Sequence, residues 1–304
     1  MISLIITAYE DPNSTREAIN LLLNQKNFHN SFELIVACPD EPTKKVIMEY
    51  KKEYPKIIKY VQQEYGSGKN NLMNKILDIV KGDILIWTDG NKPVDENAIS
   101  LIVKEFDDPS VGCVGGRPYP RNERNVLFGF WAHLLTNAAH KLRKIRFNQG
   151  KFVEQCANLL AIRKGIIDKI PSDVAEDSII PYLITQKGYK NIYQGDAKVY
   201  VMYPQNFEDW VKQKVRSAKA HEAMNNYVST KMVKQKSFFN EFLYGFIFVL
   251  SFPKNIREIY WTILLYPARL YVWVKAFYEI KIKKQPYSPD WSRSESTKVL
   301  DYKK

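Results

Sequence analysis

The first half of the chain alternates short apolar runs with segments whose apolar residues recur at helical spacing. The apolar runs, each bounded by polar turn residues, are residues 2–8, 32–38, 57–61, 83–88 and 111–114. Helical periodicity fills the intervals, as in residues 72–80, where Leu72, Ile76 and Val80 share one face. This alternation predicts βαβ units. It therefore predicts an α/β domain with a Rossmann-like, mostly parallel central sheet covered by helices on both faces.

Local signals predict where some of these helices begin and end. Residues 14–17, Ser-Thr-Arg-Glu, have the spacing of a capping box and are expected to start a helix. Gly82 follows the helical segment 72–80 and is expected to end it as a C′ glycine. Asn206 is placed to cap a helix over residues 207–225, whose first turn is acidic.

After residue 116 the alternation of strand and helix signals becomes irregular, so the predicted elements are less detailed. Residues 117–125 hold two prolines and are expected to form a loop. A helix is expected over 126–147, and a loop that leads into a second helix over 173–188. Strands are expected at 153–162 and 197–202, which would extend the same sheet.

The charge and the cysteines limit the classes of partner and compartment. The formal net charge is +12, from 45 Lys and Arg against 33 Asp and Glu, which attracts an anion such as a nucleotide, a nucleic acid or an acidic lipid surface. The basic residues are scattered and no nucleic-acid motif appears, so no nucleic-acid partner is expected. Cys38, Cys113 and Cys156 include no C-x-x-C pair, which argues against a disulfide framework and fits a reducing cytoplasm.

The two ends of the chain carry opposite signals about membranes. A strand starting at residue 2, with no basic segment before it, predicts no targeting peptide and a cytoplasmic catalytic part. Residues 242–252 and 259–274 are apolar runs of 11 and 16 residues, shorter than the roughly 20 that span a bilayer. They are dense in aromatics and interrupted by Lys and Arg, as in helices that lie in a membrane interface. A helical segment packed on the α/β domain, or a dimer contact, is the alternative.

These signals divide the chain into three expected parts. Residues 1–225 are the expected catalytic domain, 226–285 an aromatic and basic helical extension, and 286–304 a polar, loose tail.

Polar side chains gather where three of the predicted strands end. The first strand ends at Thr7-Ala8-Tyr9-Glu10, the second runs into Asp40, and the strand over residues 83–88 runs into Asp89-Gly90-Asn91. Ligands of open α/β sheets bind beyond the carboxyl ends of the strands. Asp and Asn are also ordinary turn residues, so each position alone is weak evidence of a binding site. The prediction rests on their occurrence together at three strand ends.

Two further segments are candidates for binding or chemistry. The loop Gly66-Ser-Gly-Lys-Asn-Asn71 lacks the spacing of a phosphate-binding P-loop, although Lys69 at a helix start can still meet an anion. A simple loop-to-helix turn explains it equally well. Glu176-Asp177 opens another helix, where paired acids often only complement the helix dipole. One of them becomes a candidate general base if the fold brings it opposite the strand ends.

These segments occur in one order, which resembles the family-2 inverting glycosyltransferases with the GT-A fold. The matching segments are residues 3–10, the 66–71 loop, Thr88-Asp-Gly-Asn91, and Glu176-Asp177 followed by Gly188-Tyr189. The resemblance covers roughly residues 1–225, and its most specific parts are the opening segment and the Glu-Asp element.

The resemblance implies a role for each matching residue. Thr7, Tyr9 and Glu10 would line the base and ribose of a nucleotide, and Asp40 would lie near the base. Gly68 and Lys69 would lie by the nucleotide sugar, and Asp177 would be the general base. Gln213 and Arg216 would match part of a Q-x-x-R-W element that some members place over the acceptor or the diphosphate. Asp89 and Asn91 would match the D-x-D element that holds sugar, diphosphate and a metal ion, Mg²⁺ or Mn²⁺.

Two positions depart from that pattern. Asn91 replaces an aspartate, so an ion there loses one anionic ligand and its affinity should fall. Ser217 replaces the tryptophan of the last element, which makes polymerising activity doubtful.

The combined expectation is an inverting, metal-assisted transferase bound to the cytoplasmic face of the cell membrane. It would move a sugar from a UDP- or GDP-sugar to a hydroxyl of a lipid-linked or glycan acceptor. The alternative is a nucleotide-sugar-binding protein that has lost catalysis.

Overall fold

A computed structural model describes residues 1–156, 158–228, 251–285, 287 and 295–297. Within these residues one seven-stranded sheet has the strand order β3-β2-β1-β4-β6-β5-β7. The strands are β1 (Ile2–Thr7), β2 (Phe32–Cys38), β3 (Ile58–Gln62), β4 (Ile84–Asp89), β5 (Val111–Pro120), β6 (Leu159–Arg163) and β7 (Lys190–Val201). Every neighbouring pair is parallel except the two that involve β6, which confirms the predicted mostly parallel sheet.

Helices lie between consecutive strands, and two more follow the last strand. They are α1 (Pro12–Leu23), α2 (Glu41–Glu53), α3 (Lys69–Ile79), α4 (Ala98–Glu105), α5 (Leu127–Asn148), α6 (Glu176–Gln186), α7 (Phe207–Ala223) and α8 (Ile256–Phe277). Because side chains alternate along a strand, Leu4 and Ile6 of β1 pack with α1, α2 and α4 on one face of the sheet. Ile5 packs with α3 and α6 on the other face. This two-sided burial explains why β1 reads as a continuous apolar run.

Two helix ends differ from the predictions. Helix α1 begins at Pro12, and the Asp11 side chain caps it by accepting a hydrogen bond of 3.2 Å from the Ser14 backbone N–H. The predicted capping box at residues 14–17 is therefore wrong, since those residues already lie inside the helix. Gly82 is not a left-handed C′ glycine either. A Cβ at Gly82 would lie 2.5 Å from the Ser3 backbone nitrogen, so this glycine permits close contact with β1.

The second half of the sheet is more extended than the sequence indicates. Strand β5 continues through Arg117 to Pro120, so the predicted loop over 117–125 begins too early. Pairing with β7, from Val111 to Pro120, extends the strand, and Pro118 and Pro120 are tolerated within that pairing. Strand β6 is shorter than the predicted 153–162, and β7 begins well before residue 197. The cap of α7 is confirmed, because Asn206 accepts a hydrogen bond of 2.9 Å from the Asp209 N–H.

Helix α8 packs against α5 and α7 through one apolar face. Leu265, Ala268 and Val272 are buried in a cluster with Trp131 of α5 and Trp210 of α7. The Trp131 indole N–H also donates a 2.7 Å hydrogen bond to the Trp261 carbonyl of α8. At the start of α8, the Arg124 guanidinium binds both carboxylate oxygens of Glu258, at 2.9 and 2.8 Å. The packed arrangement that the sequence left as an alternative therefore holds for this face of the helix.

The opposite face of α8 is apolar and exposed. It carries Ile256, Ile259, Tyr260, Ile263, Leu270, Tyr271, Val274 and Phe277. The helix has 22 residues, more than the predicted 16-residue run. Across the part of the chain that the structure describes, no helix combines the length and apolar character needed to cross a membrane. The other predicted apolar segment, residues 242–252, lies outside the described residues except for its last two positions.

Candidate active site

The turn after β4 places the first candidate carboxylate at the centre of the sheet edge. Strand β4 is paired with β1, so Asp89 lies beside Thr7. The Thr7 hydroxyl donates a 3.0 Å hydrogen bond to Asp89 Oδ1. Thr7 is buried, and its contact in this structure is with Asp89, so its predicted contact with a nucleotide stays a prediction. Gly90 packs so closely that a Cβ there would lie 2.8 Å from both Ala8 and Thr15, which fixes the position of the turn.

Lys69 links this turn to the start of α6. Its ammonium nitrogen lies 2.7 Å from Asp89 Oδ1 and 2.7 Å from Glu176 Oε1. The exposed fractions of the three side chains are 14% for Lys69, 10% for Asp89 and 13% for Glu176. Burial alone would lower the pKa of Lys69, but the two carboxylates raise it above its usual range. The ion pairs bring the strand end that carries Asp89 and the helix that carries Asp177 to one place.

The second oxygen of Asp89 is occupied by Lys92, three residues further along the same turn. The Lys92 ammonium forms an ion pair with Asp89 Oδ2. Burial would raise the pKa of Asp89, but Lys69 and Lys92 hold it well below its ordinary value. Asp89 is therefore an anion with both oxygens engaged by ammonium groups.

Asp177 lies near a residue from the far end of the chain. The Arg216 guanidinium and the carboxylates of Glu176 and Asp177 are close enough to the Tyr287 hydroxyl to act on its pKa. Burial raises the pKa of Tyr287, and Arg216 opposes part of that rise. Arg216 and Asp177, two of the residues to which the resemblance gives roles, therefore both lie near Tyr287.

Further contacts hold the tail against α7. The Ser296 hydroxyl donates a 2.6 Å hydrogen bond to Asp209 Oδ2, and the Gln205 side-chain amide donates one of 2.9 Å to the Ser296 carbonyl. The described residues of the predicted loose tail are therefore bound to the domain.

Gln213, also on α7, has a buried Oε1 without a hydrogen-bond partner among the residues that the structure describes.

A second group of predicted residues lies at the ends of β1 and β2. Glu10 has φ of 49°, a left-handed conformation that is uncommon outside glycine, and its N–H donates a 2.8 Å hydrogen bond to Asp40 Oδ2. The ring of Tyr9 meets that of Tyr65 edge-on, with centroids 6.1 Å apart. Burial and the neighbouring Glu10 carboxylate raise the pKa of Tyr9. This group combines aromatic surface with carboxylates, as a base and ribose site requires, and its role stays a prediction.

The residues at the predicted metal site fit a divalent ion poorly. Mg²⁺ and Mn²⁺ bind to carboxylate oxygens, and the 89–91 turn supplies one carboxylate, since Asn91 is an amide. Both oxygens of that carboxylate are engaged by Lys69 and Lys92. Within the described ranges, no group of three His, Cys, Asp or Glu side chains is arranged to hold a metal. A divalent ion would have to displace at least one lysine before it reached Asp89.

Three residues near these sites were not singled out from the sequence, namely Tyr65, Lys92 and Tyr287. Glu176 was singled out, but its ion pair with Lys69 was not predicted. The contact of Lys92 with Asp89 could have been predicted from the sequence, because a side chain three residues after Asp89 in a tight turn can fold back onto it. Tyr287 gave no such signal, since only the tertiary fold brings it to Arg216.

The strand order and the placement of polar side chains at the sheet edge define a GT-A-type glycosyltransferase fold. A mannosyltransferase from Pyrobaculum calidifontis, solved in complex with GDP-Man and Mn²⁺, superposes with a TM-score of 0.58 at 17% identity. The superposition covers 93% of this chain and 81% of that one, and at this identity it shows the shared fold alone.

The sequence shows the family of this chain. The protein-family model described as glycosyltransferase like family 2 matches residues 1–220, so the chain belongs to this family. The chain is also 20% identical over 271 residues to a poly-beta-1,6-N-acetyl-D-glucosamine synthase of Staphylococcus epidermidis and 22% identical over 275 residues to that of Staphylococcus aureus. These matches cover 87% of this chain and 63% and 64% of the two synthases, so the chain spans less than two thirds of the length of these curated relatives.

Proposed function

We propose that the protein transfers a sugar from a UDP- or GDP-sugar to an acceptor hydroxyl with inversion of the anomeric carbon. The observation that carries the proposal is the position of Lys69, which bridges Asp89 at a strand end and Glu176 at the start of α6. Asp177, the residue next to Glu176, is thereby held near the turn where the resemblance places the donor sugar. A base opposite a leaving diphosphate is what inverting transfer requires.

Asp177 is assigned as the general base. The acceptor O–H bond breaks as the acceptor oxygen attacks the anomeric carbon, and the proton passes to the Asp177 carboxylate. The bond from the anomeric carbon to the diphosphate oxygen breaks on the opposite side, and the nucleoside diphosphate leaves with the bonding electrons. Such a base contributes about 10²–10⁴-fold to the rate. The proposal gives no step to the predicted Mg²⁺ or Mn²⁺, because the donor set at Asp89 fits such an ion poorly.

Glu176 is the less suitable of the two neighbouring acids. Its Oε1 is engaged in the 2.7 Å ion pair with Lys69, and proton transfer to that oxygen would break the pair. Asp177, the next residue, accepts a 3.4 Å hydrogen bond at Oδ1 from the Ser178 hydroxyl and lies near Tyr287. We therefore assign Glu176 to holding Lys69 and Asp177 to the proton transfer.

The nucleotide would extend from this site towards Tyr9, Glu10 and Asp40. Tyr9 and Tyr65 offer aromatic surface for a base, and carboxylates accept hydrogen bonds from ribose hydroxyls. The relatives named above, a mannosyltransferase solved with GDP-Man and synthases of poly-N-acetyl-D-glucosamine, support mannose or N-acetylglucosamine as the transferred sugar. Gln213 and Arg216 are assigned to the diphosphate or the acceptor, which is a lipid-linked or glycan hydroxyl.

We also propose that α8 attaches the protein to a membrane surface. Its exposed face is apolar and aromatic, and Arg257, Lys281, Lys283 and Lys284 lie exposed on it or just beyond it. Such a helix lies in the headgroup region and attracts anionic lipid. Residues 1–225 would then be the catalytic domain and 226–285 the attachment segment, with the cytoplasmic face as the predicted side.

The second candidate is a nucleotide-sugar-binding protein without transfer activity. Asn91 and Ser217 favour it, because each replaces a residue that the family pattern uses for metal or acceptor. A product assay distinguishes the two, since any multiple-turnover product excludes the second candidate.

The test begins with a thermal-shift panel of UDP-, GDP- and dTDP-sugars, because a ligand of the folded state raises the unfolding temperature. Transfer is then measured with the donor that binds. Asp177→Asn is expected to lower transfer by about 10²–10⁴-fold while nucleotide affinity is kept. Asp168→Asn, at an exposed aspartate paired with Lys187 at 3.6 Å, is the matched control. Near wild-type turnover of Asp177→Asn would reject the assigned base.

A further inference from the structure

The Lys92 side chain is held in place by the turn that contains Asp89. The Lys92 N–H donates a 3.0 Å hydrogen bond to the Asp89 carbonyl, and the Thr88 hydroxyl donates one of 3.0 Å to the Lys92 carbonyl. The backbone at residue 92 is thereby fixed, and the ammonium group folds back onto Asp89 Oδ2. The Lys92 side chain is 19% exposed, so its charge is only partly screened by water.

The charges in this turn differ from those of a D-x-D element in a specific way. Two aspartates carry two negative charges, which a divalent ion balances as it binds the diphosphate. Here Asn91 removes one negative charge and Lys92 brings one positive charge to the same turn. Together they shift the fixed charge by two units, which equals the charge of one Mg²⁺ or Mn²⁺ ion.

We propose that Lys92, together with Lys69, binds the diphosphate of the donor in place of a divalent metal ion. The inference rests on the proposed function and names how its donor site neutralises the leaving group. An ammonium group has three N–H donors and is a common ligand of phosphate oxygens. In the contacts of the described residues, Lys92 uses one donor on Asp89, and Lys69 uses two, on Asp89 and Glu176. Three donors thus remain for phosphate oxygens.

Asp89 acquires a different role under this inference. It holds both ammonium groups at one point by its two oxygens, with the Thr7 hydroxyl fixing the carboxylate. Two cations brought this close repel each other unless an anion lies between them. Asp89 supplies that anion in the free protein, so it is a positioning residue for the lysines.

The experiment measures binding of UDP and GDP by calorimetry, in EDTA and in Mn²⁺, on protein stripped of metal. The wild-type protein is expected to bind its nucleotide with affinities that agree within about threefold in the two buffers. Lys92→Met is expected to weaken binding in EDTA by about 10–100-fold, the loss of one or two hydrogen bonds to a charged group. Lys92→Arg keeps the charge and is expected to stay within about tenfold of wild type.

A reciprocal variant makes the test sharper. Asn91→Asp combined with Lys92→Thr restores the two-aspartate pattern, so binding should weaken in EDTA and recover by about tenfold or more in Mn²⁺. Lys75→Met is the matched control, because it removes an exposed lysine from the same helix as Lys69. Thermal unfolding of each variant shows whether it is folded.

The outcomes separate this inference from the proposed function. Wild-type binding that appears only in Mn²⁺ and disappears in EDTA overturns the inference and leaves the transferase proposal standing. An unchanged affinity of folded Lys92→Met in EDTA overturns it equally. Absence of UDP and GDP binding in both buffers overturns the proposed function and this inference together.

Discussion

The ammonium group of Lys69 lies 2.7 Å from the carboxylate of Glu176, and this contact joins the start of α3 to the start of α6. The two residues are distant in sequence, and both side chains are mostly withdrawn from water. The same ammonium group binds Asp89, so three charged residues from three elements form one cluster at the sheet edge.

Glu176→Gln should reduce stability by about 1–2 kcal/mol, because it removes a hydrogen bond between charged groups that water screens only partly. Urea unfolding measures the change. Glu222→Gln, at an exposed ion pair with Lys281, is the control and should cost no more than about 0.5 kcal/mol. Equal losses in the two variants would show that the Lys69–Glu176 pair is no more important than a surface contact.

Much of the first half of the fold could be predicted from the sequence. Strands buried on both faces read as apolar runs, and β2 was placed with both ends correct. The role of Gly82 was missed because its cause is the Ser3 backbone on a neighbouring strand, which no local pattern reveals. The extension of β5 was missed for the same reason, since pairing with β7 outweighs the two prolines that suggested a loop.

The candidate site was predicted unevenly. Residues at strand ends could be located, because a parallel sheet brings those ends to one edge. Lys92 could have been proposed as a partner of Asp89 from its position three residues later in the same turn, whereas the position of Tyr287 near Asp177 depends on where the tail lies in the folded structure.

Tyr287→Phe should increase the affinity for the nucleotide diphosphate by about 2–10-fold. In the free protein the Arg216 guanidinium lies close enough to the Tyr287 hydroxyl to lower its pKa, so a ligand that uses Arg216 competes with that hydroxyl for a contact worth about 0.5–1.5 kcal/mol. Calorimetry with UDP and GDP measures the effect. A lower affinity of Tyr287→Phe would show that the hydroxyl belongs to the binding surface rather than competing with the ligand.

Acid should destabilise the protein between pH 6.5 and 4 through His140. Burial, together with Arg117 and Lys144, lowers the pKa of His140 to about 4, and its Nδ1 lies 2.9 Å from the Tyr193 hydroxyl. The unfolded chain binds the proton at higher pH than the folded one. The contribution is therefore complete above about pH 6.5 and is lost as the pH falls towards 4, by up to about 1.4 kcal/mol per unit.

His140→Gln tests this assignment by urea unfolding at pH 7, 6 and 5. The variant should lose less stability per pH unit than the wild type, because glutamine does not titrate. His29→Gln, at an exposed histidine, should keep the wild-type slope. Identical slopes for wild type and His140→Gln would assign the acid sensitivity to other groups.

Ile263→Glu should weaken binding to anionic liposomes by at least about tenfold. The residue lies in the middle of the exposed face of α8 and is 60% exposed, so a charge there opposes insertion without disturbing the packed face. Ile79→Glu, the same exchange at a 46% exposed isoleucine of α3, should pellet with liposomes as the wild type does. If the unaltered protein never pellets with phosphatidylserine vesicles, α8 is not a membrane contact.

Because α3 begins at Lys69 and α6 begins at Glu176, the amino ends of two helices meet at one ion pair. Their macrodipoles place roughly half a positive charge each at that point, contributed by peptide groups that neither titrate nor change rotamer. Substitution of a lysine of the cluster leaves this contribution of the peptide groups unchanged. The backbone therefore supplies a pH-independent attraction for phosphate in every side-chain variant, and the carboxylates of Asp89 and Glu176 oppose it wherever a lysine is removed.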